Sequence, residues 1–199
     1  MARISWPARV AGTVLAPLDG TDGPLLQRLF DGLSDFETLF WERGQADAVS
    51  TFIALPEGRD YDDKLLVGVW RDPELIGAID CIADHPEPGM WSIGMFVLRE
   101  ADRGAGLGTA LLDWLVETAA GCGAERLLAL QRRANRAGVA FLERRGFRPQ
   151  PAPEIGPDHV LLSRPVTFGA GTAPADPVRA GDSARSAESA RLRRFDPAQ

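Results

Sequence analysis

The sequence is short of the residues on which most metal and redox chemistry depends. Its 199 residues include only two histidines, His85 and His159, and two cysteines, Cys81 and Cys122, far apart along the chain. Without a CxxC pair neither a disulfide framework nor a thiolate metal site is indicated, and two histidines make a His-rich site unexpected. No metal is therefore expected, and a reducing cytoplasm fits. Nowhere do about 18 apolar residues run together, which excludes a membrane-spanning helix. Basic charge is in deficit too: the formal net charge is -6, whereas non-specific nucleic-acid binding needs clustered Lys and Arg. Lysine is almost absent, with Lys64 alone against 21 arginines, and Tyr61 is the only tyrosine. The apolar stretch after Arg3 and Arg9 is broken by Gly12, Thr13 and Pro17, so it does not read as a signal peptide.

What is present suffices for one core. With 45% apolar residues, the length fits a single domain, expected over residues 10–165 after a lead-in of residues 1–9. From residue 166 to 199 Ala, Gly, Pro, Asp, Ser and Arg dominate the composition, with few large apolar residues. Such a segment buries too little to offset its ordering entropy and is expected to be disordered, the rival reading being a short docking helix from Ser183 to Phe195. Charge is uneven: residues 1–98 carry a net -9, residues 99–148 a net +3, and the remainder none.

The coarse element reading is mixed α/β. VAGTVLAPL at residues 10–18 reads as a first strand, and Leu25, Leu26, Leu29, Phe30 and Leu33 recur at helical spacing behind Pro24. Phe36, Leu39 and Phe40 continue that pattern, and Val49, Phe52 and Ile53 suggest a short helix ending before Pro56. KLLVGVW, ELIGAIDCIA and MWSIGMFVL then read as three strands in hairpin order, hence antiparallel. A long helix follows, its face formed by Leu107, Leu111, Trp114, Leu115 and Thr118, then strand ERLLALQ, a helix from Asn135 to Arg145 and a last strand DHVLLSRPV.

The most informative stretch is Arg103-Gly104-Ala105-Gly106-Leu107-Gly108-Thr109, between a strand and the long helix. Its glycines allow backbone N–H groups to approach a ligand, and the helix directs its positive end there, as phosphate binding requires. A Walker loop needs Lys-Ser/Thr after its last glycine, where Thr109-Ala110 stands. A dinucleotide fingerprint starting at Gly104 would need glycine at Thr109, and its acidic partner, Glu125, opens a strand instead of closing one. A glycine-rich start chosen for tight packing remains the structural alternative.

The Arg-x-x-Gly-x-Gly pattern at 103–108 resembles the acetyl-CoA motif of the GNAT superfamily of N-acetyltransferases. Asn135-Arg-Ala-Gly-Val-Ala-Phe141-Leu142 through Gly146-Phe147 resembles its second motif. The resemblance implies a GNAT-type acyl-CoA N-acyltransferase fold: a central twisted, mostly antiparallel sheet with a splayed strand pair, flanked by helices. It implies acetyl-CoA as cosubstrate, with the backbone of Arg103, Gly104, Ala105, Gly106, Leu107 and Gly108 holding the pyrophosphate and Thr109 at the helix start. The backbone of Phe96, Val97 and Leu98 would pair with the pantetheine arm and polarise the thioester carbonyl. Asn135 would contact the arm or its neighbouring backbone. Arg99, Arg103, Arg132, Arg133 and Arg136 would supply positive potential.

The implied partner is a small-molecule or protein amine that attacks directly in a ternary complex, with no nucleic acid and no membrane; a homodimer is compatible with it. Many members carry a tyrosine acid where this chain has Leu142. A thiol of pKa around 8.5 still leaves tolerably as thiolate. For a base the candidates are Asp80, His85, Asp84 and Glu37. Asp80 interrupts an apolar strand, and a charge there either faces solvent or lines a cleft. Trp70, Trp91 and Met95 are candidates for an acceptor pocket or for core. Rival classes are a non-catalytic acyl-CoA-binding module, suggested by Leu142, and a nucleotide-binding enzyme using the glycine loop.

Overall fold

Ala11 and Gly12 both take positive φ, 46° and 78°, and so turn the chain back on itself. What the sequence reads as one strand at 10–18 is therefore a hairpin, β1 (Ala8–Val10) and β2 (Thr13–Pro17). In this computed structural model residues 4–35 and 48–166 are described. The continuation of the first helix through Phe36, Leu39 and Phe40, the candidate Glu37, and the tail's disorder or docking helix lie outside them. Helix α1 (Gly23–Asp31) starts with Pro24 in its first turn and buries Leu26, Leu29 and Phe30, the face that helical spacing indicates. A short helix α2 (Ala48–Ile53) follows.

Strands β3 (Lys64–Arg71), β4 (Glu74–Ile82) and β5 (Met90–Leu98) pair antiparallel in hairpin order, as the sequence predicts. Helix α3 (Leu107–Gly121) then crosses over to β6 (Arg126–Arg132), and helix α4 (Arg136–Arg144) leads to β7 (Arg148–Gln150) and β8 (His159–Pro165). The sheet order is β1-β2-β3-β4-β5-β6-β8-β7. Its neighbours are antiparallel except β5 and β6, which the α3 crossover makes parallel.

Two local features of β5 shape the molecule. Its pairing with β6 runs only from Met90↔Arg126 to Ile93↔Ala129. Beyond that, β5 stays on β4 as far as Leu98↔Gly77 while β6 stays on β8, so the two strands part toward their carboxyl ends. At the parting point Asp80 faces Met95 while Cys81 faces Ile93, leaving Gly94 as an extra residue. This bulge inverts the side-chain alternation. Trp91 and Ile93 before it, and Leu98 after it, join the core under α3 and α4, whereas Met95 and Val97 join the core under α1 and α2.

The α3 core is the larger, with Leu107, Leu111, Leu112, Leu115 and Ala119 at most 5% exposed. Each such leucine contributes ~1.5–3 kcal/mol of burial. Trp114 is only half-buried and packs against Trp6, the two rings tilted 53° with centroids 5.9 Å apart. The apolar face of α3 is thus broader than one stripe, because the chain before β1 covers its flank.

Candidate active site

The parted ends of β5 and β6 make a V, and the N-termini of α3 and α4 both follow its arms. Through a single helical turn at Glu100–Asp102, β5 runs into the glycine loop. Gly104 and Gly106 have φ of 84° and 88°, a region where a Cβ is strained. A Cβ built at either would meet nothing within 4 Å. These two glycines therefore serve backbone conformation and open space, and tight packing is not what requires them. Gly108 differs, because its Cβ would lie 3.7 Å from Leu98 and 3.8 Å from Phe141.

Among the described residues the N–H groups from Gly104 to Thr109 find no acceptor, and α3's first bond is Ala110 N–H to Gly106 O at 3.1 Å. Such a row of unengaged donors at a helix N-terminus suits an anionic phosphate. The Arg103 amide is not one of them: it donates to Glu100 O at 3.1 Å.

The arginines of the basic stretch are largely occupied by the protein itself. Arg103 donates from Nε to Leu98 O at 2.8 Å and grips both carboxylate oxygens of Asp35, at 2.6 and 3.2 Å. Arg99 pairs with Glu74 and with buried Asp102, each at 2.7 Å, and Arg71 also binds Asp102. Burial pushes the Asp102 carboxyl up, but the hydrogen bonds and charges of Arg99 and Arg71 outweigh it and hold it below the usual range. Arg133 donates to Pro157 O at 3.0 Å. Arg136, exposed in α4's first turn, has no carboxylate partner among the described residues.

On the other arm, Asn135 caps α4: its Oδ1 accepts from Gly138 N–H at 2.9 Å and its Nδ2 donates to Gln131 Oε1 at 3.0 Å. Both polar ends of the side chain are thus engaged within the protein. Phe141 stacks on Phe96 of β5 at 6.3 Å, and Leu142 is 7% exposed on α4's inner face. Leu130, past the last β5 pair, is 48% exposed. A hollow of about 450 Å³, which sequence reasoning does not foresee, opens beside β8 between Arg133, Gln150, Ile155, His159 and Leu161.

The candidate bases separate clearly. Asp80 is neither solvent-facing nor lining an open cleft with its whole side chain: it is 4% exposed, with Oδ1 2.9 Å from Lys64 Nζ. Burial raises its pKa from 3.8 to about 6, although Lys64 opposes the shift. His85 lies past the end of β4. Its N–H donates to Met90 O at 2.8 Å and its carbonyl accepts from Ser92 Oγ at 2.7 Å, so it is anchored where β5 and β6 are still paired. Burial and nearby Arg59 lower its pKa. Exposed Asp84 accepts from Gly89 N–H at 2.8 Å and so organises the turn. Cys81 is fully buried, and burial together with the Asp80 charge pushes its thiol pKa up. Trp70, Trp91 and Met95 are at most 3% exposed and belong to the cores. Among the described residues no group of three His, Cys, Asp or Glu is placed to hold a metal ion, and no helix is long and apolar enough to cross a membrane.

An open, mostly antiparallel sheet, one parallel pair that parts, and helix N-termini at the parting define the acyl-CoA N-acyltransferase fold. The model of the acetyltransferase (GNAT) family matches residues 26–147, and the chain belongs to that family. Its class of activity is acyl-CoA-dependent acyl transfer. Among solved structures, an acetyltransferase from Thermus thermophilus shares 27% identity over 79% of this chain and 99% of its own, with a TM-score of 0.63. A probable GNAT acetyltransferase from Chromobacterium violaceum shares 23% over 83% of this chain and 88% of its own, at 0.64. The PaiA N-acetyltransferase from Thermoplasma acidophilum, in complex with coenzyme A, shares 13% over 77% and 98%, at 0.58. No curated protein matches the sequence.

Proposed function

We propose that this protein transfers an acetyl group from acetyl-CoA to a primary amine of a small molecule or protein, by direct attack in a ternary complex. The observation that carries the reading is the row of unengaged amides from Gly104 to Thr109 at the mouth of the V. These amides would hold the pyrophosphate, with Arg103 holding the loop against Leu98 and Asp35. Phe96 and Val97, on the edge of β5 that β6 has left, would pair with the pantetheine arm, and Leu98 would do so through the group that Arg103 leaves available. Asn135 would act by fixing the turn that carries α4. The two free cysteines suit a reducing cytoplasm.

Chemically the site must align amine and thioester, stabilise a developing oxyanion and manage protons. Backbone donors of β5 around the Gly94 bulge are suited to the oxyanion. With Leu142 buried where a tyrosine acid would stand, CoA departs as thiolate and is protonated by water.

The test is thiol release from acetyl-CoA with a panel of spermidine, Nα-acetyl-lysine, 2-phenylethylamine and an alanyl dipeptide. Turnover of at least one amine is expected. Leu142 favours one rival, a non-catalytic acyl-CoA-binding module, which predicts binding without turnover on any amine. Thermal-shift titration with acetyl-CoA, ATP and NAD addresses the nucleotide reading, and stabilisation by ATP or NAD alone would overturn the proposal.

A further inference from the structure

The face of the sheet under α1 and α2 has a charged pair in its interior. Lys64 in β3 and Asp80 in β4 lie 2.9 Å apart, their side chains 1% and 6% exposed. Lys64 is fixed from a second side, donating from Nζ to Ala54 O just beyond α2 at 2.6 Å. A pair so buried gains less from its attraction than it loses in hydration, and packed apolar residues would often do as well. Stability alone therefore gives little reason for a carboxylate here.

The placement of its two oxygens points to a reason. Oδ1 meets Lys64 Nζ as an ion pair at 2.9 Å and is buried with no hydrogen-bond partner among the described residues, and the oxygen turned toward β5 is Oδ2. It lies against Gly94, where a Cβ would fall 2.5 Å from it. Gly94 is exposed, is the extra residue of the β5 bulge, and is the first residue of β5 beyond its last pair with β6. The missing side chain thus leaves the carboxylate at the apex of the V, on the face opposite α3 and α4. Among the described residues, those that face Asp80 across the sheet are uncharged, Leu66 on β3 and Met95 on β5, and both pack with the core that α1 and Phe52 of α2 share. Lys64 is the one charged group among the described residues that acts on it.

We propose that Asp80 is the catalytic base, receiving the acceptor's proton on Oδ2, and that Lys64 is a positioning residue that holds this carboxylate and keeps it ionised. The proposal rests on the N-acetyl-transfer reading. The amine nitrogen bonds to the acetyl carbon and becomes cationic. The carbon–sulfur bond breaks with its electron pair leaving on sulfur as CoA thiolate, and the nitrogen's surplus proton passes to Oδ2 and then to solvent. That proton is more acidic than an alkylammonium's at ~10, so a carboxylate titrating at about 6 is a competent acceptor. The Lys64 charge also disfavours a second cation there, so the acceptor binds as its free base.

The experiment is the pH profile of kcat/KM with acetyl-CoA and the panel amines. Wild type should lose activity on the acid side with a limb near pH 6. Asp80→Asn should lose that limb and ~100-fold or more in kcat, with acetyl-CoA affinity within twofold. Lys64→Met should shift the limb to higher pH, since the lysine's attraction is gone. If Asp80→Asn fails to fold around an unpaired Lys64, the uncharged double variant Lys64→Met/Asp80→Asn should show the same loss. Retention of kcat within threefold in either Asp80 variant, or an unmoved limb in Lys64→Met, would reduce the pair to a structural one. Acetyl-CoA binding by wild type without turnover of any amine would instead overturn the N-acetyl-transfer reading, and this proposal with it.

Discussion

Gly106 concentrates two demands at one residue: a φ of 88° and a free outward side, with nothing within 4 Å of a built Cβ. Gly106→Val strains the backbone by ~1–2 kcal/mol and places methyl groups where an anion must approach. Calorimetry should show acetyl-CoA affinity reduced ~10-fold or more, and unchanged affinity would place the pyrophosphate elsewhere. Asp80 makes a separate prediction about stability. Its folded pKa of about 6 lies above the ordinary 3.8, so the folded protein binds this proton more tightly than the unfolded chain does. The resulting stabilisation, ~3 kcal/mol by linkage, is complete below about pH 4 and is lost as pH rises through about 6. Urea denaturation should therefore show wild type losing ground to Asp80→Asn between those pH values. A constant difference would mean that Asp80 is not desolvated.

At the scale of elements, the bulge in β5 governs the site. One extra residue swings Met95 and Val97 to the α1 side and leaves Gly94 against Asp80. In Gly94→Ala the methyl carbon would stand 2.5 Å from Oδ2, so the carboxylate must move. Turnover should fall ~10-fold or more, while titration shows acetyl-CoA binding preserved, because the glycine loop lies at the far end of β5. The loop itself was legible from sequence, since glycine spacing and a following helix are local signals. The bulge was not: MWSIGMFVL reads as continuous alternation, and the break comes from β4 pairing on one edge while β6 leaves the other.

For the whole molecule, the split between an acidic half and a basic stretch was legible, but its meaning changed. Arg99 and Arg103 are engaged with carboxylates from the acidic half, Glu74 and Asp35, so part of that asymmetry is internal pairing. Arg136 is exposed without such a partner among the described residues, at a helix end beside the V. Arg136→Ala should weaken acetyl-CoA binding about two- to fivefold at low salt, with the difference shrinking as ionic strength rises. A salt-independent loss would instead indicate a packing role.

The sequence by itself determined the order of elements from β3 onward, the antiparallel β3–β4–β5 hairpins and the glycine loop, because strand alternation, helical spacing and glycine placement are decided by neighbours in the chain; the β1–β2 hairpin, read as one strand, was not among them. It also led to the family, through motifs read in order. Tertiary structure decided which strands part, which arginines are already paired, and which candidate base stands at the apex. Those outcomes rest on desolvation and on charges brought together from distant positions: Lys64 to Asp80, and Asp35 to Arg103. A residue's charge is written in the sequence, whereas its partner and its access to water are set only by the fold.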